Sequence, residues 1–411
     1  MKYFRKRSTN RTRDRDDFAI RPSRRGTLSR LLVIASVRRR ESRRPTHTLP
    51  ATTARSILLV CLALPLATPM RPTIEHVRHA AKRLAAVGAP PTPILRSEWI
   101  DKACGCAVAF KAEHLQRTGS FKYRGATNAV RALDDAAAAK GVVAHSSGNH
   151  GAAVAAAAAA RGIPCTVVVP RTTPAAKVAN MERYGASVVL CEPTQRARTE
   201  TSALEAERMG GAQFIHPYDD ALVLAGQGTI GLELLEQCSP GGVHPPLDAV
   251  LVPVSGGGMI GGIALAIKAL QPSVRIIACE PHGKELQMAL EAKTRVMDAA
   301  VADAALDTIA DAIRTKSFGP VPWEVASPLL HPTVLSVSDG MIREAMRTAL
   351  VELKQVVEPA GAVTLAALLS PEFAQMREGG VEGEPPLRSV AAILCGGNID
   401  PAGFASHVDP R

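Results

Sequence analysis

None of the eight cysteines in this 411-residue chain form a pair at the spacing of a zinc knuckle or dithiol motif. Cys104 and Cys106 are one residue apart with no His or Cys cluster beside them, so neither a zinc site nor a disulfide framework is expected. A body this large with scattered, apolar-flanked cysteines fits a reducing compartment. Long apolar runs are also missing. The stretch from Ile57 to Ala67 is too short to span a bilayer and lies too far in for a signal-peptide core, so no membrane contact is expected of the folded body. No fixed-period repeat is present, which excludes a solenoid. No Lys-Ser or Lys-Thr follows the glycine run Ser255-Gly256-Gly257-Gly258, which excludes a nucleoside triphosphate P-loop.

Acidic residues are scarce in one region only. Residues 1–69 carry 17 Lys+Arg against 4 Asp+Glu, so this head accounts for more than the chain's whole net charge of +11 and leaves the remainder at −2. A near-neutral body gives no reason to expect a nucleic-acid partner. The head has no lasting apolar period and reads as disordered. Three readings of it stay open: a start assigned too early with Met70 as initiator, an Arg-rich transit peptide, or a basic anchoring tail. Cytoplasmic residence is expected, or an organelle if the head is a transit peptide.

The apolar fraction of 46% belongs to a globular protein with room for two or three domains. From Ala107 strands and helices alternate. Apolar runs at 107–111, 142–145, 165–169, 187–191, 248–254, 274–279 and 389–394 read as strands. Helices are expected over 120–133, 152–160, 174–183, 259–270 and 339–355. Such alternation predicts an α/β protein with parallel sheets flanked by helices.

Three segments carry chemistry. Lys122, in Gly119-Ser120-Phe121-Lys122-Tyr123-Arg124-Gly125, follows an apolar residue and is placed to lose its charge, as an amine that attacks a carbonyl must. A lone lysine would more often be a surface charge. Ser146-Ser147-Gly148-Asn149-His150 lies at a strand-to-helix junction, where backbone N–H groups can hold an anion or merely cap the helix. The run Ser255 to Met259 also joins a strand to a helix. It supports a phosphate cradle, a dinucleotide fingerprint completed by Glu280, or a tight turn. A nicotinamide dehydrogenase would leave the other two segments without a task, whereas a pyridoxal phosphate enzyme uses all three.

Together these segments resemble the serine racemase and serine/threonine dehydratase family of fold type II pyridoxal phosphate enzymes. The resemblance runs from about Ile74 to Asp400. It also takes in Phe110-Lys111, Gln116 to Gly119, Tyr184-Gly185-Ala186, Ala225 to Thr229, Glu358-Pro359 and Cys395-Gly396-Gly397-Asn398. It implies two domains with the cofactor in the cleft between them: a large one from 70–140 and 220–411, and a small one from 141–219. By the same resemblance Lys122 is the Schiff-base lysine, next to Phe121. Ser255, Gly256, Gly257, Gly258 and Met259 hold the phosphate, Asn149 holds the ring oxygen, and Cys395 faces the pyridine nitrogen. Ser146, Ser147, Gly148, Asn149 and His150 take the substrate carboxylate, with Arg198 on the substrate side.

The implied reaction is α-proton abstraction by Lys122 from L-serine or L-threonine. It ends in inversion at Cα, with Ser147 as the second acid/base, or in loss of water to an oxo acid and ammonia. Threonine or hydroxyaspartate dehydratase activity without racemisation is the alternative within the fold, and a nicotinamide dehydrogenase or a non-catalytic relative the alternative outside it. A homodimer is implied as well, and Mg²⁺ or Ca²⁺ held by a glutamate, a backbone carbonyl and an aspartate. Glu280 and the Lys284 carbonyl fall at the first two positions, but the third falls on Leu286, with Glu285 beside it. Two further departures are Tyr218, where the racemase branch has Asn, and the segment Ile309 to Ala312, where the family usually has a Gly.

Overall fold

The computed structural model describes residues 70–295, 305–379 and 383–409. The readings of the head as disordered and as a targeting segment lie outside these residues.

Ten strands build two sheets: β1 (Ile94–Leu95), β2 (Ala107–Lys111), β3 (Val142–His145), β4 (Cys165–Pro170), β5 (Ser187–Cys191), β6 (Gln213–Phe214), β7 (Ala249–Pro253), β8 (Arg275–Pro281), β9 (Leu335–Val337) and β10 (Ser389–Ile393). The six-stranded sheet runs β1-β2-β10-β7-β8-β9 and the four-stranded one β5-β4-β3-β6. Every pairing is parallel except β1 with β2. The residues of β3, β4, β7 and β10 are all buried, as expected of strands covered by helices on both faces. The larger core surrounds the six-stranded sheet. A second core joins β3 and β4 to the helices Lys122–Ala132 and Asn149–Arg161.

The helix Lys122–Ala132 lies between the helices Asn149–Arg161 and Ala221–Gln237, and glycine sets its approach to the second. A β-carbon on Gly226 would stand 2.6 Å from Gly125 Cα, so neither position tolerates a side chain without separating the helices. A buried ion network fixes the start of the same helix. Arg124 donates twice to Glu113, at 2.7 Å each, and also to Glu233, which receives Lys111 Nζ at 2.6 Å. Charged groups this deep are stable only when fully paired, and the forked guanidinium provides that pairing.

The segment 339–355 departs from the single helix expected of it. The α-helix ends at Thr348, a π-helical turn runs Ala349–Leu353, and Lys354 takes a left-handed conformation at φ 57°.

Candidate active site

Parallel strands leave their C-terminal ends free for loops, and the candidate residues stand there. Lys122 opens its helix just after a loop stitched to the end of β10. Ser120 bridges to Gly396, Phe121 N–H donates to the Cys395 carbonyl at 3.2 Å, and Gly397 N–H donates to the Gly119 carbonyl at 3.0 Å. The Lys122 amine donates to the Pro217 carbonyl at 2.7 Å and lies 5.0 Å from the Phe121 ring centre. Loss of hydration lowers its pKa from 10.5 to about 8, opposed by attraction to Cys395. A neutral amine is therefore accessible near physiological pH.

Asn149 stands across this loop at the start of the helix Asn149–Arg161. Its Nδ2 donates to Glu358 Oε1 at 2.7 Å, and its Oδ1 accepts from Asn398 Nδ2 at 2.8 Å. Asn398 Nδ2 also donates to the Thr118 carbonyl at 2.7 Å, closing the network onto the Lys122 loop. One N–H of the Asn149 amide stays available for a ligand oxygen. Burial raises the Glu358 carboxyl from 4.5 to about 7, reinforced by the nearby charge of Asp311.

Ser146 Oγ accepts from Gly148 N–H at 3.1 Å. Ser147 is exposed and makes no hydrogen bond through its hydroxyl. His150 is buried, with Nε2 bound to the Ile215 carbonyl at 2.9 Å and Nδ1 unpartnered. Burial lowers the pKa of His145 to about 4 and of His216 to about 3, so both are neutral at pH 7. Arg198 repels the protonated form of His145, and its buried Nε has no acceptor. Arg198 is half-buried, with its charge near His145, the residue before Ser146.

The glycine run forms the turn between β7 and the helix Gly258–Leu270, with Gly257 at φ 89°. Here glycine is required by contact: β-carbons at 256 and 257 would lie 2.4 Å from the Tyr218 ring and 2.6 Å from Phe318. Tyr218 and Phe318 wall this turn, and Gly319 N–H donates to the Gly256 carbonyl at 3.0 Å. Cys395 is buried, its Sγ 3.3 Å from the Ala360 carbonyl, and burial keeps it a thiol.

A dehydrated lysine amine, a helix-start turn rich in free N–H groups, and a locked asparagine suit pyridoxal phosphate well. The divalent cation does not fit. Leu286 is a buried core residue with no oxygen to offer from its side chain, Glu285 is exposed, and the Lys284 amine is turned onto the carbonyls of Thr315 and Lys316. Among the described residues no group of three or more His, Cys, Asp or Glu could hold a metal.

Glu358 and Asn398 lie within the motifs that carry the family resemblance, without a role assigned to either by sequence. The signal for Glu358 was a lone acid directly before the wholly buried helix Pro359–Leu368.

The sequence profile of the family described as pyridoxal-phosphate dependent enzyme matches residues 86–396. The serine racemase of Arabidopsis thaliana is 43% identical over 312 residues, 75% of this chain and 88% of that protein. The beta-hydroxyaspartate dehydratase of Paracoccus denitrificans is 40% identical, covering 80% and 97%. The structure of maize serine racemase superposes with a TM-score of 0.74 at 40% identity, covering 81% of this chain and 95% of that one.

Proposed function

The chain belongs to the pyridoxal-phosphate dependent enzymes, in the class of serine racemases and serine/threonine dehydratases, and we propose that it acts on small β-hydroxy amino acids, L-serine first and L-threonine second. The observation that carries this reading is the Lys122 amine, dehydrated to a pKa of about 8 and aimed at the Pro217 carbonyl from the start of its helix.

When bound, the cofactor makes the α-proton of an amino acid joined to it acidic. Lys122 Nζ, uncharged, takes that proton as general base. Asn149, held by Glu358 and Asn398, would offer its remaining N–H to the cofactor. The turn from Ser255 to Met259 would hold its phosphate, and Phe121 and Cys395 would help hold its ring. Backbone N–H groups of residues 146–150 take the substrate carboxylate. Ser147, with no internal hydrogen bond, is free to return a proton to the opposite face of Cα, which inverts the amino acid. Departure of the β-hydroxyl as water instead leaves an enamine, which solvent water hydrolyses to an oxo acid and ammonia.

Incubation of the protein with pyridoxal phosphate and L-serine, following D-serine and pyruvate together, tests this reading. Both products are expected, and neither product would overturn it. A second reading is favoured by Arg198. Its unpartnered Nε suits a substrate with a second carboxylate, such as hydroxyaspartate, and activity on that substrate alone would select it.

Residues 70–140 with 220–411, and residues 141–219, are proposed as the two domains, in line with the four-stranded sheet drawing only on 142–214. We propose a homodimer. Trp99, Leu115, Leu350, Val351 and Val356 are exposed, and the bonds Ser97–Glu352 and His114–Gln355 bring their segments together. Sedimentation would show a monomer if this is wrong. The seven described cysteines are free and buried, which supports a reducing compartment such as the cytoplasm. No described helix is long and apolar enough to cross a membrane.

A further inference from the structure

The short turn 216–219 meets both halves of the candidate site. His216 Nδ1 accepts the backbone N–H groups of Tyr218 and Asp219, at 3.3 and 2.8 Å, as the side-chain oxygen of an Asx turn does. Inside that turn the Pro217 carbonyl receives the Lys122 amine at 2.7 Å. The next residue, Tyr218, lies on the glycine run with its main chain as well as its ring. A β-carbon at Gly258 would stand 3.0 Å from Tyr218 Cα and from its carbonyl oxygen.

Asp219 ties this turn to the opposite wall. Its Oδ1 accepts from Val321 N–H at 2.9 Å, 102 positions along the chain. Val321 N–H belongs to the first turn of the helix Pro320–Ala326, whose N-cap residue, Gly319, has no side chain to receive it. A carboxylate from a distant segment does the capping instead. Glycine is what admits it, since a β-carbon on Gly319 would lie 2.7 Å from that oxygen. At the same helix start Phe318 closes on Gly257, and Gly319 N–H holds the Gly256 carbonyl at 3.0 Å. Tyr218 and Phe318, the two walls of the glycine turn, are thus joined to each other through Asp219.

We propose that Asp219 is a positioning residue for the cofactor: by capping the helix Pro320–Ala326 from the turn that also holds Lys122, it fixes where the glycine turn stands relative to the lysine amine. The inference rests on the reading that Ser255 to Met259 takes the phosphate. A ligand with an aldehyde at one end and a phosphate at the other gains fully from both contacts only when their separation is set beforehand. Asp219 touches neither end. It keeps the two receiving groups in register.

The test titrates the whole protein with pyridoxal phosphate and with pyridoxal, which has the aldehyde but no phosphate, following the visible absorbance of the lysine-bound aldehyde. The native chain is expected to bind the phosphorylated form much more tightly. Equal affinity for the two would overturn the phosphate reading, and this inference with it. Asp219→Ala is expected to weaken pyridoxal phosphate roughly tenfold while leaving pyridoxal unchanged, because the His216 turn and the Pro217 carbonyl stay in place. Asp219→Asn, whose amide oxygen still accepts from Val321, should keep most of the affinity. A native preference for the phosphate that Asp219→Ala leaves intact, or an equal loss with both ligands, overturns the inference alone. So does a loss in Asp219→Asn as large as in Asp219→Ala. If Asp219→Ala does not fold, Gly319→Ala decides by the same comparison, since its backbone at φ −65° accepts alanine and the added β-carbon displaces the Asp219 carboxylate.

Discussion

Asn149 Nδ2 and Glu358 Oε1, 209 positions apart in sequence, meet at 2.7 Å in the closed site. The bond fixes which way the amide faces, because Asn398 fills the oxygen side. Glu358→Ala would strand a buried donor and free the amide to flip, at about 1–3 kcal/mol. Pyridoxal phosphate affinity, followed by fluorescence titration, is expected to fall roughly tenfold or more for Glu358→Ala and far less for Glu358→Gln.

The same carboxyl gives a signature in stability. Its pKa is raised by folding, from 4.5 to about 7. Its contribution is therefore fully present below 4.5 and is lost as pH rises through about 7. Melting curves of the cofactor-free protein across this window should show that decline, and Glu358→Gln should remove it.

Lys122 sets the pH dependence of cofactor capture. Only the neutral amine attacks a carbonyl, and its pKa is about 8. The capture rate should rise about tenfold per pH unit below that value and level off above it. An unperturbed lysine would keep rising toward pH 10. Stopped-flow absorbance during reconstitution distinguishes the two. Lys122→Ala should lose the visible absorbance of the lysine-bound cofactor and about 10²–10⁴-fold in turnover.

Ser147→Ala separates the two outcomes of the reaction. With Ser147 as the second acid/base, D-serine formation should fall about 10²–10⁴-fold while pyruvate formation persists. Parallel loss of both products would make Ser147 a carboxylate contact only.

The strands were legible wherever an apolar run was unbroken. Predicted and observed β2, β3 and β5 coincide: β2 and β3 are almost wholly buried, and β5, a half-exposed edge strand, is marked by its apolar run Val188-Val189-Leu190. The helix Ala221–Gln237 gave no such signal. It is buried on nearly every side and so has no amphipathic stripe, and only the motif Ala225 to Thr229 within it stands out. Lys354 ended the 339–355 helix early through its backbone conformation, which residue type does not reveal. In the site, Lys122 and Asn149 were legible from their neighbours along the chain. Glu358 acts through a partner far away in sequence, Asn149.

Tyr218 differs from the residue of the racemase branch, and its ring is what makes Gly256 indispensable. A β-carbon there would lie 2.4 Å from the ring, nearer than real contacts allow. The ring cannot simply yield, because it also packs edge-on against His216 at 4.7 Å between centroids. His216 Nδ1 in turn accepts the backbone N–H groups of Tyr218 and Asp219, at 3.3 and 2.8 Å. Gly256→Ala must therefore shift the turn itself, spoiling the aim of its N–H groups at a phosphate. A loss of about 1–3 kcal/mol is expected, typical of overpacking a tight core. The loss in cofactor affinity should exceed the loss in melting temperature of the cofactor-free protein. Pairing Gly256→Ala with Tyr218→Ala should restore the turn and most of the binding, and failure to do so would show that the ring is not what excludes the side chain.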